Sequence, residues 1–103
     1  MDKRQVYEII NKFIEAILPE YDPEKVVLYG SYAKGTNSIE SDIDIAVIVN
    51  KVEGSFLDKE ARLYKIRRNI DSNIEPVLLE EDNDRSGFLE HILSYGEVLF
   101  AKN

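Results

Sequence analysis

Residues Leu28 to Val49 read LYGSYAKGTNSIESDIDIAVIV, and the fold turns on how the last eight of them are placed. Side chains alternate between the two faces of a strand, so Asp42 and Asp44 share one face with Ala46 and Ile48, while Ile43, Ile45, Val47 and Val49 line the other. Both faces are apolar beyond Asp44. Acids on a strand ordinarily mark a solvated outer face, but here that face turns hydrophobic two residues later, so the acids belong to one end of a buried strand. Their carbons stand on the order of 6.5 Å apart, close enough for the carboxylates to repel and for one to hold its proton. A divalent cation between them reverses that preference and keeps both ionised.

Immediately upstream, a β-rich run from Val26 to Tyr29 stops at Gly30, and a short helical turn opens at Ser31 and closes at Gly35. Gly30 has no Cβ, so the backbone can bend tightly and a ligand can approach; Ser31 can cap the turn and offer a hydroxyl. Free amides at such a turn favour phosphate. An ordinary capped turn would explain Gly-Ser alone. The spacing of Gly30 and Gly35 matches GxxxxGK[ST], but Thr36 and Asn37 stand where that loop requires Lys and Ser or Thr, which rejects a Walker loop. The phosphate reading gains from Asp42 and Asp44 on the next strand, since neighbouring strands bring a phosphate cradle and a metal pair to one edge.

Working outward, Val6, Ile9, Ile10, Phe13, Ile14, Ile17 and Leu18 recur at helical spacing, and Pro19 is expected to close that helix. A turn is expected over Tyr21 to Lys25. Ser55 with Asp58 resembles a capping box for a helix that carries Leu63, Ile66 and Ile70 inward until about Ser72. A strand follows over Ile74 to Leu79, then a polar loop over Glu80 to Arg85. Phe88, Leu89, Ile92 and Leu93 predict a helix that Gly96 can cap, and Val98 to Phe100 a short last strand. Helices interleaved with strands make the chain α/β or α+β, with helices packed on a small sheet.

At 103 residues and 44% hydrophobic content, residues 1–103 are expected to form one domain. No cysteine and one histidine leave no disulfide framework and no thiolate or multi-histidine zinc site within the chain. Hard, oxygen-ligated metals remain open. The longest apolar run, Ile45 to Val49, is far short of a membrane span, and the polar start MDKRQ is no signal peptide, so a cytoplasmic location is expected. A formal charge of -7 gives no help in holding a nucleic-acid backbone, so no polynucleotide partner is expected.

Gly30-Ser31-Tyr32-Ala33-Lys34-Gly35 followed by Ser41-Asp42-Ile43-Asp44-Ile45 resembles the signature of the polymerase-β-like nucleotidyltransferases, above all the minimal nucleotidyltransferases (MNT) that include antitoxins of the MntA type. The resemblance implies that family's small mixed sheet flanked by helices. It implies magnesium, two ions, on Asp42 and Asp44, nucleotide phosphates on Ser31 with Gly30, Lys34 and Ser41 alongside, and ATP as substrate. It also implies a third carboxylate on a later strand, for which Glu75 is the positional match. Glu75 shares a strand face with Val77 and Leu79, and Pro76 suggests an edge or a bulge there. Glu80, Glu81, Asp82 and Asp84 are rival acids in a run of loop charge. Lys34 stands where the family often has arginine, keeping the charge but not the bidentate geometry.

The implied reaction is AMP transfer from ATP to a hydroxyl. In single-domain relatives the acceptor is commonly a tyrosine of an HEPN-domain toxin, which makes a toxin-antitoxin partner the expectation and a homo- or hetero-oligomer possible. A small-molecule adenylyltransferase working as a homodimer and a nucleotide-binding antitoxin without catalysis are the alternatives. Outside the motif, Arg62, Lys65 and Arg68 recur at every third position, as a solvated helix face does, and His91 lacks a partner motif and is expected at the surface. Tyr32 is either a packed loop aromatic or a contact to base or partner.

Overall fold

In the structure, a computed structural model that describes residues 2–84 and 86–102, the first helix α1 runs from Lys3 to Tyr21. Asp2 opens it in a reciprocal capping box: its carboxylate accepts the Gln5 N–H at 2.9 Å and the Gln5 side chain accepts the Asp2 N–H at 3.0 Å. Pro19 lies inside the helix rather than at its end. The stop comes three residues later, where Asp22 adopts φ 45° and its N–H donates to Leu18 O at 3.0 Å. Pro23 explains this, because a proline pushes the residue before it out of the right-handed helical region. The second proline of the segment therefore ends the helix.

Strand β1 (Lys25–Tyr29) leads into the short helix α2 (Gly30–Lys34), then β2 (Ile43–Val49), α3 (Phe56–Arg68), β3 (Ile74–Glu80), α4 (Phe88–Tyr95) and β4 (Glu97–Ala101). The sheet order is β3-β2-β1-β4, with β1 antiparallel to both β2 and β4, and β2 parallel to β3. The sheet is mixed and flanked by helices, as expected. Arg85, the expected end of the polar loop, lies outside the described residues.

The two faces of β2 meet different layers. Ile43, Ile45, Val47 and Val49 join Val6, Ile10, Phe13, Ile14 and Ile17 of α1 and Leu63 and Ile66 of α3 in the larger core. Ala46 and Ile48 meet Val27 and, from α4, Leu89 and Ile92. One short helix covers this second face where two longer ones cover the first. At the end of the second face Tyr29, Asp44 and Glu75 are left only half-buried.

Ser55 caps α3 by accepting the Asp58 N–H at 3.2 Å. The helix ends at Arg68, short of the expected Ser72, and Ile70 packs against the core from the turn beyond it. Two side chains two helical turns apart on α3 close the outer edge of β3: the Glu60 carboxylate accepts the Leu78 N–H at 3.0 Å, and Arg67 donates to Ile74 O at 3.0 Å and to Ser72 O. Pro76 sits between those contacts, on an edge strand where a missing N–H forfeits no ladder bond. Gly96 does cap α4, but in an extended conformation (φ -67°). Space is what demands glycine there, since a Cβ would lie 2.6 Å from both Ile92 O and Val27 Cγ1. Among the described residues no helix is long and apolar enough to cross a membrane.

Candidate active site

Asp44 is the second residue of β2, and the ladder fixes its neighbours: Tyr29 is its partner on β1 and Glu75 its partner on β3. A row of phenol, carboxylate and carboxylate thus crosses three strands at one end of the less covered face. Asp42, just before β2, is exposed beside them. The parallel register also separates Glu75 from its rivals. Glu80 pairs with Val49 at the opposite end of β2, where its carboxylate accepts the Val52 N–H at 3.0 Å. Asp84 caps α4, accepting the N–H groups of Leu89 and Glu90 at 2.9 Å each. Glu81 and Asp82 are exposed in the intervening turn.

Among the described residues, no ion pair compensates the charges in this row. Burial raises the Asp44 carboxyl above its usual range, and the neighbouring Asp42 and Glu75 carboxylates raise it further. The Tyr29 phenol is pushed up to about 12, first by burial and then by Asp44. Tyr64 of α3 is raised by burial and by the Glu75 carboxylate. Among the described residues none of Asp42, Asp44 and Glu75 takes part in an ion pair. Lys34, in the glycine turn, instead places its ammonium over the ring of Tyr95, 4.9 Å from the centroid.

Gly30 is the hinge of the site. It sits at φ 71°, a left-handed conformation, and a Cβ on it would lie 2.0 Å from Asp44 Oδ2. What approaches the bare glycine is the chain's own carboxylate. Its N–H is not free for phosphate, because it donates to Tyr95 Oη at 2.9 Å. The turn opens one residue earlier than expected, with Tyr29 in the capping position and no side-chain cap, so the Ser31 hydroxyl is not spent on capping. Gly35 closes the turn at φ 76°. Ser41 shapes the approach to Asp42: its hydroxyl accepts the Ser38 N–H at 2.8 Å and its own N–H donates to Ser38 O at 3.2 Å.

The remaining sequence candidates fall outside this row. Arg62 pairs with Glu20 at 3.2 Å, and Lys65 and Arg68 are exposed. His91 is exposed, edge-on to Tyr95 at 5.3 Å. Tyr32 packs against the larger core. Tyr95 is the contributor that sequence reasoning missed; it stands 65 residues from Gly30, and no local spacing links the two. A cleft of about 370 Å³ lies at the opposite end of the sheet, between Tyr21, Val49, Leu78 and Lys102.

Among the described residues no three Asp, Glu, His or Cys side chains converge closely enough to hold a metal ion unaided. Magnesium does not need such a cage, since it keeps several waters and is bound through one or two carboxylates plus substrate phosphates. An acid raised by burial and then by its like-charged neighbours, with hard oxygen donors and no ion-pair partner among the described residues, fits a magnesium ion that arrives with a triphosphate.

The family described as "Polymerase beta, Nucleotidyltransferase" matches residues 11–103. A Methanocaldococcus jannaschii protein that bears the name "Putative protein adenylyltransferase" is 29% identical over 99 residues, which cover 89% of this chain and 96% of that protein. Among solved structures, a "putative nucleotidyltransferase from Sulfolobus solfataricus" superposes with a TM-score of 0.71 at 17% identity, over 95% of this chain and 82% of that one. A crystal structure of the toxin-antitoxin MntA-HpeT aligns with a TM-score of 0.63 at 20% identity, over 100% of this chain and 75% of that one. The two structural likenesses are likenesses of fold.

Proposed function

We propose that this chain, which belongs to the polymerase beta nucleotidyltransferase family, moves AMP from ATP to a tyrosine hydroxyl of an HEPN-domain toxin and so serves as an MntA-type antitoxin in the cytoplasm. The observation that carries the reading is the uncompensated row: Asp44 set opposite Glu75 by the parallel ladder, with the glycine turn pressed against Asp44. The name of the archaeal relative supports a protein as acceptor, and the likeness to a toxin-antitoxin protein supports a toxin. A net charge of -7 suits a protein acceptor better than a polynucleotide.

In this reading Asp42 and Asp44 hold two magnesium ions and Glu75 completes the set on the acceptor side. The chemistry that bound magnesium supplies is neutralisation of phosphate charge and acidification of the attacking hydroxyl. Ser31 and the backbone of its turn position the β- and γ-phosphates, and the Lys34 ammonium adds positive potential beside them. Ser41 holds the loop that delivers Asp42. The acceptor oxygen bonds to the α-phosphorus as the bond to the bridging β-phosphate oxygen breaks; pyrophosphate leaves, and the acceptor proton passes to the Glu75 carboxylate.

Incubating the protein with magnesium, each nucleoside triphosphate in turn, and the product of the adjacent gene tests the whole reading by intact mass. One or more AMP units gained by that partner, with ATP only, is the expected result. Pyrophosphate release that requires an added metabolite, with no protein gaining mass, would replace the toxin by a small-molecule acceptor. A partner neutralised without gaining mass would make the chain a binder.

A further inference from the structure

Tyr95, the last residue of α4, touches both ends of α2. Its hydroxyl accepts the N–H of Gly30, the first residue of that helix, at 2.9 Å. The face of its ring carries the ammonium of Lys34, the last residue, at 4.9 Å. Two different parts of one side chain, each with a different chemistry, thus fix a five-residue helix at its start and at its finish.

The clamp is itself anchored. Gly96 follows Tyr95 with no room for a Cβ against Val27 Cγ1 and Leu28 O, so the end of α4 is seated directly on β1. Ile92, one turn before, is fully buried in the smaller core. Asp44 Oδ2 also presses on the start of α2, 2.0 Å from where a Gly30 Cβ would stand. Gly30 therefore meets both Tyr95 and Asp44, and the hydrogen bond to Tyr95 sets where the turn stands against the carboxylate.

We infer that Tyr95 is a positioning residue of the nucleotide site, which sets the glycine-serine turn against Asp44 and holds Lys34 out of an ion pair with the carboxylates until a triphosphate arrives. The inference rests on the reading of that turn as the phosphate cradle. It makes the C-terminal helix part of the site, although α4 contributes no group that touches the reacting atoms. Its effect falls on nucleotide binding, with the chemical step left nearly intact once ATP is bound.

Two substitutions separate the two contacts. Tyr95→Phe removes the acceptor for the Gly30 N–H and keeps the ring under Lys34; Tyr95→Leu removes both. Titration of each protein with magnesium-ATP, amide hydrogen exchange at Gly30, and KM and kcat for AMP transfer are the readouts. Tyr95→Phe should speed exchange at the Gly30 amide and weaken ATP binding about three- to tenfold, the worth of one hydrogen bond. Tyr95→Leu should weaken it by about a further threefold. In both, KM for ATP should rise in step while kcat stays within about threefold of wild type. Unchanged ATP affinity in both variants, or a loss confined to kcat, would overturn the inference even if transfer by the wild-type protein proceeds as proposed. If the wild-type protein itself binds no magnesium-ATP, the phosphate-cradle reading falls and this inference falls with it.

Discussion

The two ends of the sheet treat charge in opposite ways. At the end where β2 finishes, acids and bases answer one another: Lys102 bridges Asp22 at 2.8 Å and Glu24 at 3.9 Å, Arg62 holds Glu20, and Glu80 accepts a backbone N–H. At the end where β2 begins, the Asp42 and Glu75 carboxylates crowd a half-buried Asp44, and Lys34 rests on a tyrosine ring instead. The cleft lies at the first of these ends. Volume and chemistry therefore point in different directions, and chemistry decides. Of the charges that line that cleft, Glu20, Asp22, Glu24 and Lys102 already have partners, whereas the acids at the other end have none among the described residues and need an outside cation to be neutral.

Substitutions at the two ends should differ sharply. Asp44→Asn is expected to lower AMP transfer on the order of a thousandfold, measured as the rate of mass gain on the acceptor. Transfer near the wild-type rate would erase the contrast. Glu75→Gln should cost about a hundredfold through kcat if the carboxylate takes the acceptor proton. Gly30→Ala brings a Cβ to 2.0 Å from Asp44 Oδ2 at a left-handed φ. It should cost about a hundredfold in transfer by moving the carboxylate and about 1–2 kcal/mol of stability in a denaturant titration.

The contrast should also appear in stability. A carboxyl whose folded pKa is raised loses its proton later in the native chain than in the unfolded one, so stability falls as pH rises from the unfolded value of 3.8 through the higher folded value of Asp44. Without metal, Asp44→Asn should therefore melt higher than wild type at neutral pH and should flatten that acid-side slope. Magnesium at about a hundred times its dissociation constant should add about 2.7 kcal/mol to the wild-type protein and far less to Asp44→Asn. The smallest effect belongs to the other end: Arg62→Ala should cost about 0.2–1 kcal/mol, less at high salt, with transfer unchanged.

Much of this was legible in the residues, and the rest was not for physical reasons. The alternation of Asp42 to Val49 assigned each side chain of β2 to the face it occupies, and Pro76 placed β3 at an edge, because strand period and a missing donor are local properties. Glu75 came from the family resemblance, with its acid-then-apolar strand pattern in keeping, and the ladder register sets it opposite Asp44. Two adjacent stop signals, Pro19 and Asp22-Pro23, competed for the end of α1, and the helix runs through the first and stops at the second, where Asp22 turns left-handed. Gly30 was readable as a close-approach glycine, but not what approaches it. Both of its partners, Asp44 and Tyr95, arrive through tertiary packing.

The stripe of Glu60 and Arg67 along β3 bears on how the molecule behaves in a crowded solution. An edge strand with free backbone groups is a template on which other chains can stack, and this stripe occupies the donor of Leu78 and the acceptor of Ile74 with side chains of the same chain. Variants of α3 made for any purpose should therefore be inspected for precipitation before their activity is interpreted, since on that side of the sheet two half-buried charges of one helix occupy the open edge.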